Sequence, residues 1–211
     1  KFPSISNFSD LDPLENEEGI KLSWVKNSQN LNKFDVIILP GSKQTIKDIT
    51  FLKETGLINC ILDYSEKNGN IFGICGGLQM LGEYLEDPHS KEGLESFDKQ
   101  STKGIGLLPL KTIFQKTKTT RRIICDATWP CSTKIEGFEI HNGVTEIIKK
   151  EGEVKLKNIF EQNQLGWYFD SNEKGSIAGS YVHGLFDNDQ WRINYLNLIR
   201  NKKGIQILDK R

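Results

Sequence analysis

Several features that would assign a protein class at once are missing from this chain of 211 residues. It has no net charge, because 28 lysine and arginine residues balance 28 aspartate and glutamate residues, and this balance argues against the basic surface of a nucleic-acid-binding domain. No apolar run approaches the ~18 residues that cross a bilayer, and the N-terminus has no charged-then-apolar leader. We therefore expect a cytoplasmic protein with no nucleic-acid partner and no membrane partner.

Cysteine and histidine are scarce as well. The chain holds four cysteines and three histidines, namely Cys60, Cys75, Cys125, Cys131, His89, His141 and His183. There is no Cys-x-x-Cys pair and no His–Cys cluster with ligand spacing, so we predict neither a metal site nor dithiol redox chemistry. A chain of this length can build a core without disulfides, which fits a reducing compartment. A G-x-x-x-x-G-K-[ST] phosphate loop is also absent, and we expect no nucleotide site in this domain.

Apolar runs closed by glycine and proline predict an α/β fold. The run at 35–39 ends at Pro40-Gly41 and is typical of a strand buried on both faces. Helices are predicted from 42 or 45 to Gly56 and over 57–67, and a second strand leads to Cys75. The order strand, helix, strand, helix predicts a mostly parallel sheet with helices on both faces.

The remaining segments carry weaker signals. Residues 1–19 are polar and irregular, 20–24 alternate like a short strand, and leucines at helical spacing extend the helix after Cys75 to Leu85. Further strands are predicted at 107–114, 135–140, 166–170 and 176–182, with a hairpin connection at 171–175 and a last helix at 190–200. The basic run at 116–122 is expected to be an exposed loop or a solvated strand edge.

The strongest local signal is Gly73-Ile-Cys75-Gly-Gly77-Leu-Gln79, which places a cysteine at a strand-to-helix turn. Glycines allow such a tight turn, and the same geometry presents the serine of the G-x-S-x-G hydrolases. A helix N-terminus next to the thiol would lower its pKa and favour the thiolate. The N–H of Gly76 would also face an oxyanion that formed beside Cys75. The structural alternative is that Cys75 is a small buried apolar side chain.

A nucleophilic cysteine needs a base, and two of the histidines are candidates. His183 follows an apolar strand and precedes Gly184, so it lies where a parallel sheet collects its active residues. His141 lies on a predicted strand and shares one strand face with Glu139. His89 lies in a polar loop and is expected to be exposed.

Several segments, taken in order, resemble a known family. The Cys75 turn resembles the nucleophile turn of class I glutamine amidotransferases. Further similar segments are Ile5–Asp10, Asp12–Leu14, Leu39–Lys43, Ile74–Gly82, Asp87-Pro88, Gly137–Gly143 and Tyr181–Phe186. Together they resemble the glutaminase domains of the cobyric acid synthase family, over most of the chain.

This resemblance implies a flavodoxin-like α/β fold and the hydrolysis of glutamine through a cysteine thioester. It also implies an N-terminal synthetase domain of the same longer chain, which uses ATP and Mg²⁺ to amidate adenosylcobyrinic acid a,c-diamide with the ammonia released. Residues 1–19 would then be the lead-in from that domain and residues 20–211 the amidotransferase domain. No cofactor is expected in the amidotransferase domain itself.

Carried over by position, the resemblance makes Cys75 the nucleophile and His183 the general base and acid. Gln79 would hold substrate glutamine, and the N–H groups of Gly41 and Gly76 would form the oxyanion hole. The wider class has His-x-Glu where this chain has His183-Gly-Leu185, so the usual third member of the triad is missing. Glu139, Asp187, a backbone carbonyl and water remain candidates to orient His183.

Three other functions remain open. The chain could be the glutaminase subunit of a related ligase that amidates a cell-wall lipid intermediate. It could be a cysteine hydrolase or peptidase of similar fold, or a partner-binding domain without catalysis. His141 also remains an alternative base.

Overall fold

The computed structural model of the protein describes residues 1–92, 100–149, 156–162, 164–169 and 175–207. In these ranges the helices are α1 (Asp12–Glu15), α2 (Thr45–Glu54), α3 (Leu57–Glu66), α4 (Gly76–Leu81) and α5 (Asp189–Lys202), with 3-10 turns at Phe8–Leu11 and Leu185–Asp187. The strands are β1 (Val36–Leu39), β2 (Asn70–Ile74), β3 (Tyr84–Glu86), β4 (Ser101–Lys103), β5 (Leu110–Ala127), β6 (Thr133–Ile147), β7 (Lys157–Asn158), β8 (Gly166–Phe169), β9 (Ile177–Ser180) and β10 (Val182–His183).

The first sheet has the order β1-β2-β9-β8-β7. Its strands β1, β2 and β9 are parallel, so their carboxyl ends meet at one edge. Strands β8 and β7 continue the sheet in antiparallel pairing. This sheet confirms the α/β class and the parallel arrangement expected for the segments around Cys75.

The second sheet has the order β10-β6-β5-β3-β4 and is mainly antiparallel. Its centre is the long β5–β6 hairpin, which contains the basic run 116–122 as a solvated part of β5. The register of the pair shifts between Ile113 and Lys118. Only Tyr181 separates β9 from β10, so the chain passes from the first sheet into the second within one residue.

Helices cover both faces of the first sheet, as the alternation of its strands requires. In β2, Ile71 packs into a core with α2 and α3, while its neighbour Phe72 packs into the core on the side of α5. Phe72 is fully buried and contacts Trp191 and Tyr195 edge to face, at centroid distances of 5.8 and 5.4 Å. Burial of one such side chain stabilises the fold by about 1.5–3 kcal/mol.

Two predicted elements differ in the structure. Helix α4 ends at Leu81, four residues early, because Gly82 is extended at ψ 172° and Tyr84–Glu86 pairs with β5 instead. Residues 20–25 form no strand, although they line a groove of about 670 Å³ beside β1. The predicted connection at 171–174 lies outside the described residues.

Over the described ranges, none of the helices combines the length and apolar character needed to cross a membrane. The four cysteines are all free, which agrees with the expectation that the fold needs no disulfide.

Candidate active site

The turn after β2 holds Cys75 in a strained backbone conformation. Its φ is 50° and its ψ is −108°, a combination that L-residues rarely adopt and that costs on the order of 1–3 kcal/mol. Two glycines permit it. A Cβ on Gly73 would lie 2.6 Å from the backbone nitrogen of Leu78, and a Cβ on Gly77 would lie 2.0 Å from the carbonyl oxygen of Leu39. The cysteine is therefore placed by close contact between α4 and the ends of β1 and β2.

His183 reaches the same place from the other sheet. The N–H of Cys75 donates to the carbonyl of Ser180 at 2.8 Å, which ties the turn to the end of β9. Three residues later, His183 lines the same cavity as Cys75, and its imidazole lies close enough to the sulfur for Cys75 to raise its pKa. The thiol also donates to the carbonyl oxygen of Ile140 at 3.3 Å. Both side chains are buried, at 6% exposure for Cys75 and 4% for His183.

The acidic partner of His183 is Asp10, from the first 3-10 turn. Its Oδ2 lies 2.7 Å from Nδ1 of His183, and its Oδ1 accepts the N–H of Gly184 at 2.9 Å. A carboxylate can only accept, so Nδ1 carries a proton and Nε2 is the ring nitrogen left for chemistry. The amide Nδ2 of Asn7 also lies 3.0 Å from Nδ1 of His183. With Nδ1 protonated, this contact becomes a hydrogen bond only if the Asn7 amide is turned over to present its oxygen.

These contacts set the charge of the imidazole. Burial alone would lower the pKa of His183, but the hydrogen bonds to Asp10 and Cys75 and the negative charges of both groups outweigh burial and raise the pKa to about 10. His183 is therefore protonated at neutral pH, which places a positive charge beside the sulfur of Cys75. A neighbouring cation favours the nucleophilic thiolate form of a cysteine.

The loop after β1 lies against this pair. A Cβ on Gly41 would be 3.4 Å from Cε1 of His183, and one on Gly76 would be 2.9 Å from the backbone nitrogen of Ser42. The predicted oxyanion-hole glycines therefore lie on the two segments that meet around Cys75. The lead-in is fastened to the same loop, because the N–H of Ser6 donates to the carbonyl of Gly41 at 2.9 Å.

Gln79 lies one turn into α4 and is buried. Its Nε2 donates to the carbonyl of Asn142 at 2.9 Å, and its Oε1 accepts from Thr45 Oγ1 at 3.3 Å. The buried phenol of Tyr181 lies near this side chain, and burial raises the pKa of the phenol to about 12. Gln79 lines the same cavity as Cys75, which is where the resemblance places it.

The three other predicted residues do not contact His183 in the way expected of an orienting acid. Glu139 accepts from Nε2 of His141 at 2.8 Å and from Nε of Arg121 at 2.5 Å. Asp187 lies beside Gly184, and burial followed by the charge of Asp10 raises the pKa of its carboxyl. Glu139 and His141 thus form a pair of their own, in the same region as Cys75 and His183.

A cavity of about 220 Å³ opens onto these side chains. The cavity is lined by Ser6, Asn7, Ser42, Lys43, Thr45, Cys75, Gln79, Glu92, Phe114, Lys118, Ile140, His141, Asn142 and His183. Among the described residues, no group of three or more His, Cys, Asp or Glu side chains is arranged to hold a metal ion.

Comparison with known families gives a consistent result. The family model of the CobB/CobQ-like glutamine amidotransferase domain matches residues 1–191. The chain belongs to this family. The matched range includes Asp10, Cys75, His141 and His183, which are the residues that the fold brings together.

Curated relatives of this amidotransferase domain are longer proteins. The chain is 59% identical over 211 residues to cobyric acid synthase of Prochlorococcus marinus strain AS9601, and 46% identical over 208 residues to that of strain NATL2A. These alignments cover 100% and 99% of the chain but only 42% and 41% of the relatives. The chain therefore spans less than half the length of the cobyric acid synthases it matches.

Solved structures show the amidotransferase fold. A structure described as a glutamine amidotransferase has a TM-score of 0.66 at 16% identity, covering 95% of this chain and 96% of its own. A chain of PurLQS from Thermotoga maritima has a TM-score of 0.62 at 15% identity, covering 93% and 96%. The predicted class I amidotransferase-like fold is confirmed.

The sequence reasoning on the amidotransferase site missed Asp10. This residue lies 183 − 10 = 173 positions before His183, in a segment without helical or strand periodicity. One signal was available, because Ile5–Asp10 was among the segments that resemble the family. A lead-in that served only as a connection would have no reason to carry a family pattern.

Proposed function

We propose that this chain is the glutaminase part of a cobyric acid synthase, working in the cytoplasm. The observation that carries the proposal is that Cys75, on a strained turn, shares a cavity with the imidazole of His183, which Asp10 holds in one tautomer. The cavity beside Cys75 also contains Gln79, at the position where the family resemblance implies a side chain that holds substrate glutamine. The identity to cobyric acid synthases favours this acceptor chemistry over amidation of a cell-wall intermediate.

In the proposed mechanism, the Cys75 thiolate adds to the side-chain carbonyl carbon of glutamine. The carbonyl oxygen becomes an oxyanion that accepts the N–H groups of Gly76 and Gly41, and loss of one such donor typically costs about 3–4 kcal/mol. His183 donates its proton to the departing nitrogen, so that ammonia leaves and a glutamyl thioester remains. The neutral imidazole then removes a proton from water, which attacks the thioester and releases glutamate.

Asp10 acts through His183 in this scheme and is a positioning residue. It keeps Nδ1 protonated, directs Nε2 towards the sulfur and the leaving nitrogen, and stabilises the imidazolium. The acceptor step would take place outside this chain. We place the use of ATP and Mg²⁺, and the amidation of adenosylcobyrinic acid a,c-diamide, in a synthetase part that the longer relatives have room for.

The test uses a full-length synthase that carries these residues, with glutamine or ammonium as the nitrogen donor. Cys75→Ser should abolish amidation from glutamine and leave amidation from ammonium intact. The matched control is Cys60→Ser, because Cys60 lies on α3, away from the cavity. Near-normal glutamate release by Cys75→Ser would refute the nucleophile. If Cys75→Ser also loses amidation from ammonium while Cys60→Ser stays fully active, the proposal that glutamine hydrolysis and amidation occur in separate parts of the enzyme is wrong.

A further inference from the structure

His141 lines the cavity beside Cys75, and one of its ring nitrogens has no partner. The side chain is 8% exposed, its ring stacks on Tyr181 at a centroid distance of 3.8 Å, and Nε2 is paired with Glu139. Its Nδ1 is buried and has no hydrogen-bond partner in the ligand-free protein. Buried polar atoms without a partner are rare and call for an explanation, and a donor group of a bound ligand would supply one.

The chemistry of Nδ1 follows from its neighbours. Nε2 lies 2.8 Å from the carboxylate of Glu139, so Nε2 carries the proton and Nδ1 of the neutral ring is an acceptor. Arg121 pairs with the other oxygen of the same carboxylate. An acceptor in this position matches a donor such as an ammonium group and repels a carboxylate.

Other charges on the cavity wall agree with this polarity. Glu92 is 7% exposed, and its carboxylate accepts the N–H of Ile46 at 3.4 Å. The cationic side chains that line the cavity, Lys43 and Lys118, are both exposed. The acceptor groups are therefore buried and the cations are solvent-facing, an arrangement that suits the two ends of a zwitterionic amino acid.

We propose that Nδ1 of His141 accepts a hydrogen bond from the α-ammonium group of substrate glutamine and that His141 is a specificity-determining residue of this site. This inference rests on the proposed glutaminase function and deepens it. His141 thus recognises the end of the substrate that does not react, while His183 handles the end that does. Glu139 fixes the tautomer that this recognition requires.

The experiment measures alkylation of Cys75 by three diazoketones, followed by mass spectrometry. One reagent has the full amino-acid end of glutamine (6-diazo-5-oxonorleucine), one lacks the α-ammonium group, and one lacks the α-carboxylate. Iodoacetamide reports the intrinsic reactivity of the thiol. A hydrogen bond to a charged group is worth about 1.5–3 kcal/mol, so the wild type should prefer the full reagent over the one without ammonium by about 10- to 100-fold.

Three variants isolate Nδ1. His141→Phe keeps a ring on Tyr181 without either nitrogen, and should reduce that preference to within about threefold of unity. His141→Asn places an amide oxygen near the position of Nδ1 and should restore part of it. The exposed His89→Ala is the matched control and should keep the full preference. Circular dichroism checks that each variant is folded.

The outcomes separate the inference from the function on which it rests. A preference for the ammonium group that survives in His141→Phe overturns the role of His141. An equal loss of reactivity towards all reagents, including iodoacetamide, would be a structural effect and would also overturn the role of His141. A loss of preference for the carboxylate alone, with the preference for the ammonium group intact, would overturn it as well. If wild-type Cys75 reacts with iodoacetamide but with none of the diazoketones, the proposed glutaminase function itself fails.

Discussion

The molecule contains two buried histidines that each pair with a carboxylate, and the two pairs differ in orientation. His183 pairs with Asp10 through Nδ1, which leaves Nε2 free in the cavity it shares with Cys75, whereas His141 pairs with Glu139 through Nε2 and leaves Nδ1 without a partner. The carboxylate of Asp10 comes from a distant segment and that of Glu139 from the same strand. In each pair the carboxylate fixes the tautomer of the imidazole. The tautomer then determines which ring nitrogen remains available, for proton transfer in His183 and for binding in His141.

The largest expected effect separates the two imidazoles by their kinetic signatures. His183→Gln removes the acid and base, which typically contribute 10²–10⁴-fold, and should lower kcat for glutamine hydrolysis by about 10³-fold. His141→Asn should raise KM while kcat stays within several-fold. Steady-state glutamate release over a range of glutamine concentrations measures both. If kcat falls strongly in His141→Asn while His183→Gln stays active, His141 is the acid and base and His183 is not.

The second prediction concerns the carboxylate on His183. Asp10→Asn replaces a charged acceptor by a neutral one, and we expect kcat/KM to fall about 10- to 100-fold from the loss of about 1.5–3 kcal/mol. The pKa of His183, read from its imidazole NMR signals, should fall from the raised value near 10. Asp12→Asn makes the same charge change on the exposed side of α1 and is the control. An unchanged imidazole titration in Asp10→Asn would contradict the positioning role.

The third prediction is a pH dependence of stability. The folded-state pKa of His183 is raised from 6.5 to about 10, so its stabilising contribution is complete below pH 6.5 and is lost as the pH rises through about 10. The free energy of unfolding of the wild type, compared with His183→Gln, should therefore decline between these values, on the order of a few kcal/mol. Urea titrations at several pH values measure it. A difference that grows with rising pH would have the wrong sign.

The smallest expected effect concerns the carboxylate on His141. Arg121 is 60% exposed, and exposed ion pairs contribute about 0–1 kcal/mol. Arg121→Gln should therefore change KM for glutamine by no more than about threefold and leave kcat unaltered. Arg122→Gln, which breaks the exposed pair with Glu136, is the matched control. A tenfold rise in KM for Arg121→Gln alone would show that the arginine, and not only Glu139, holds the tautomer of His141.

Local chemistry made part of this site predictable. The turn at Cys75 could be read from sequence because the close approach of α4 to β1 and β2 leaves no room for side chains at Gly73 and Gly77. The end of the strand before His183 could be read for the same kind of reason, since an apolar run stops at Gly184. Both signals lie within a few residues of the side chain that they position, so they can be recognised in the sequence alone.

The other features of the fold and the site depend on contacts between segments that are distant in the sequence, and these contacts could not be predicted from local patterns. Asp10 reaches His183 only because the lead-in pairs with the loop after β1, and no periodicity in residues 1–19 reports that contact. The helix after Cys75 stops early because Tyr84–Glu86 finds a partner in β5, which outweighs the helical spacing of the leucines. The basic run joins β5 because β6 lies opposite it, although its own side chains are exposed.

The bridge between Ile5 and Ser42 has a practical consequence for anyone who truncates the gene. A protein expressed from residue 20 onward would still contain Cys75 and His183, but it would lose buried core side chains such as Phe2, Leu11 and Leu14. It would also lack Asp10, so a lack of glutaminase activity in this shortened protein would not show that the intact enzyme is inactive.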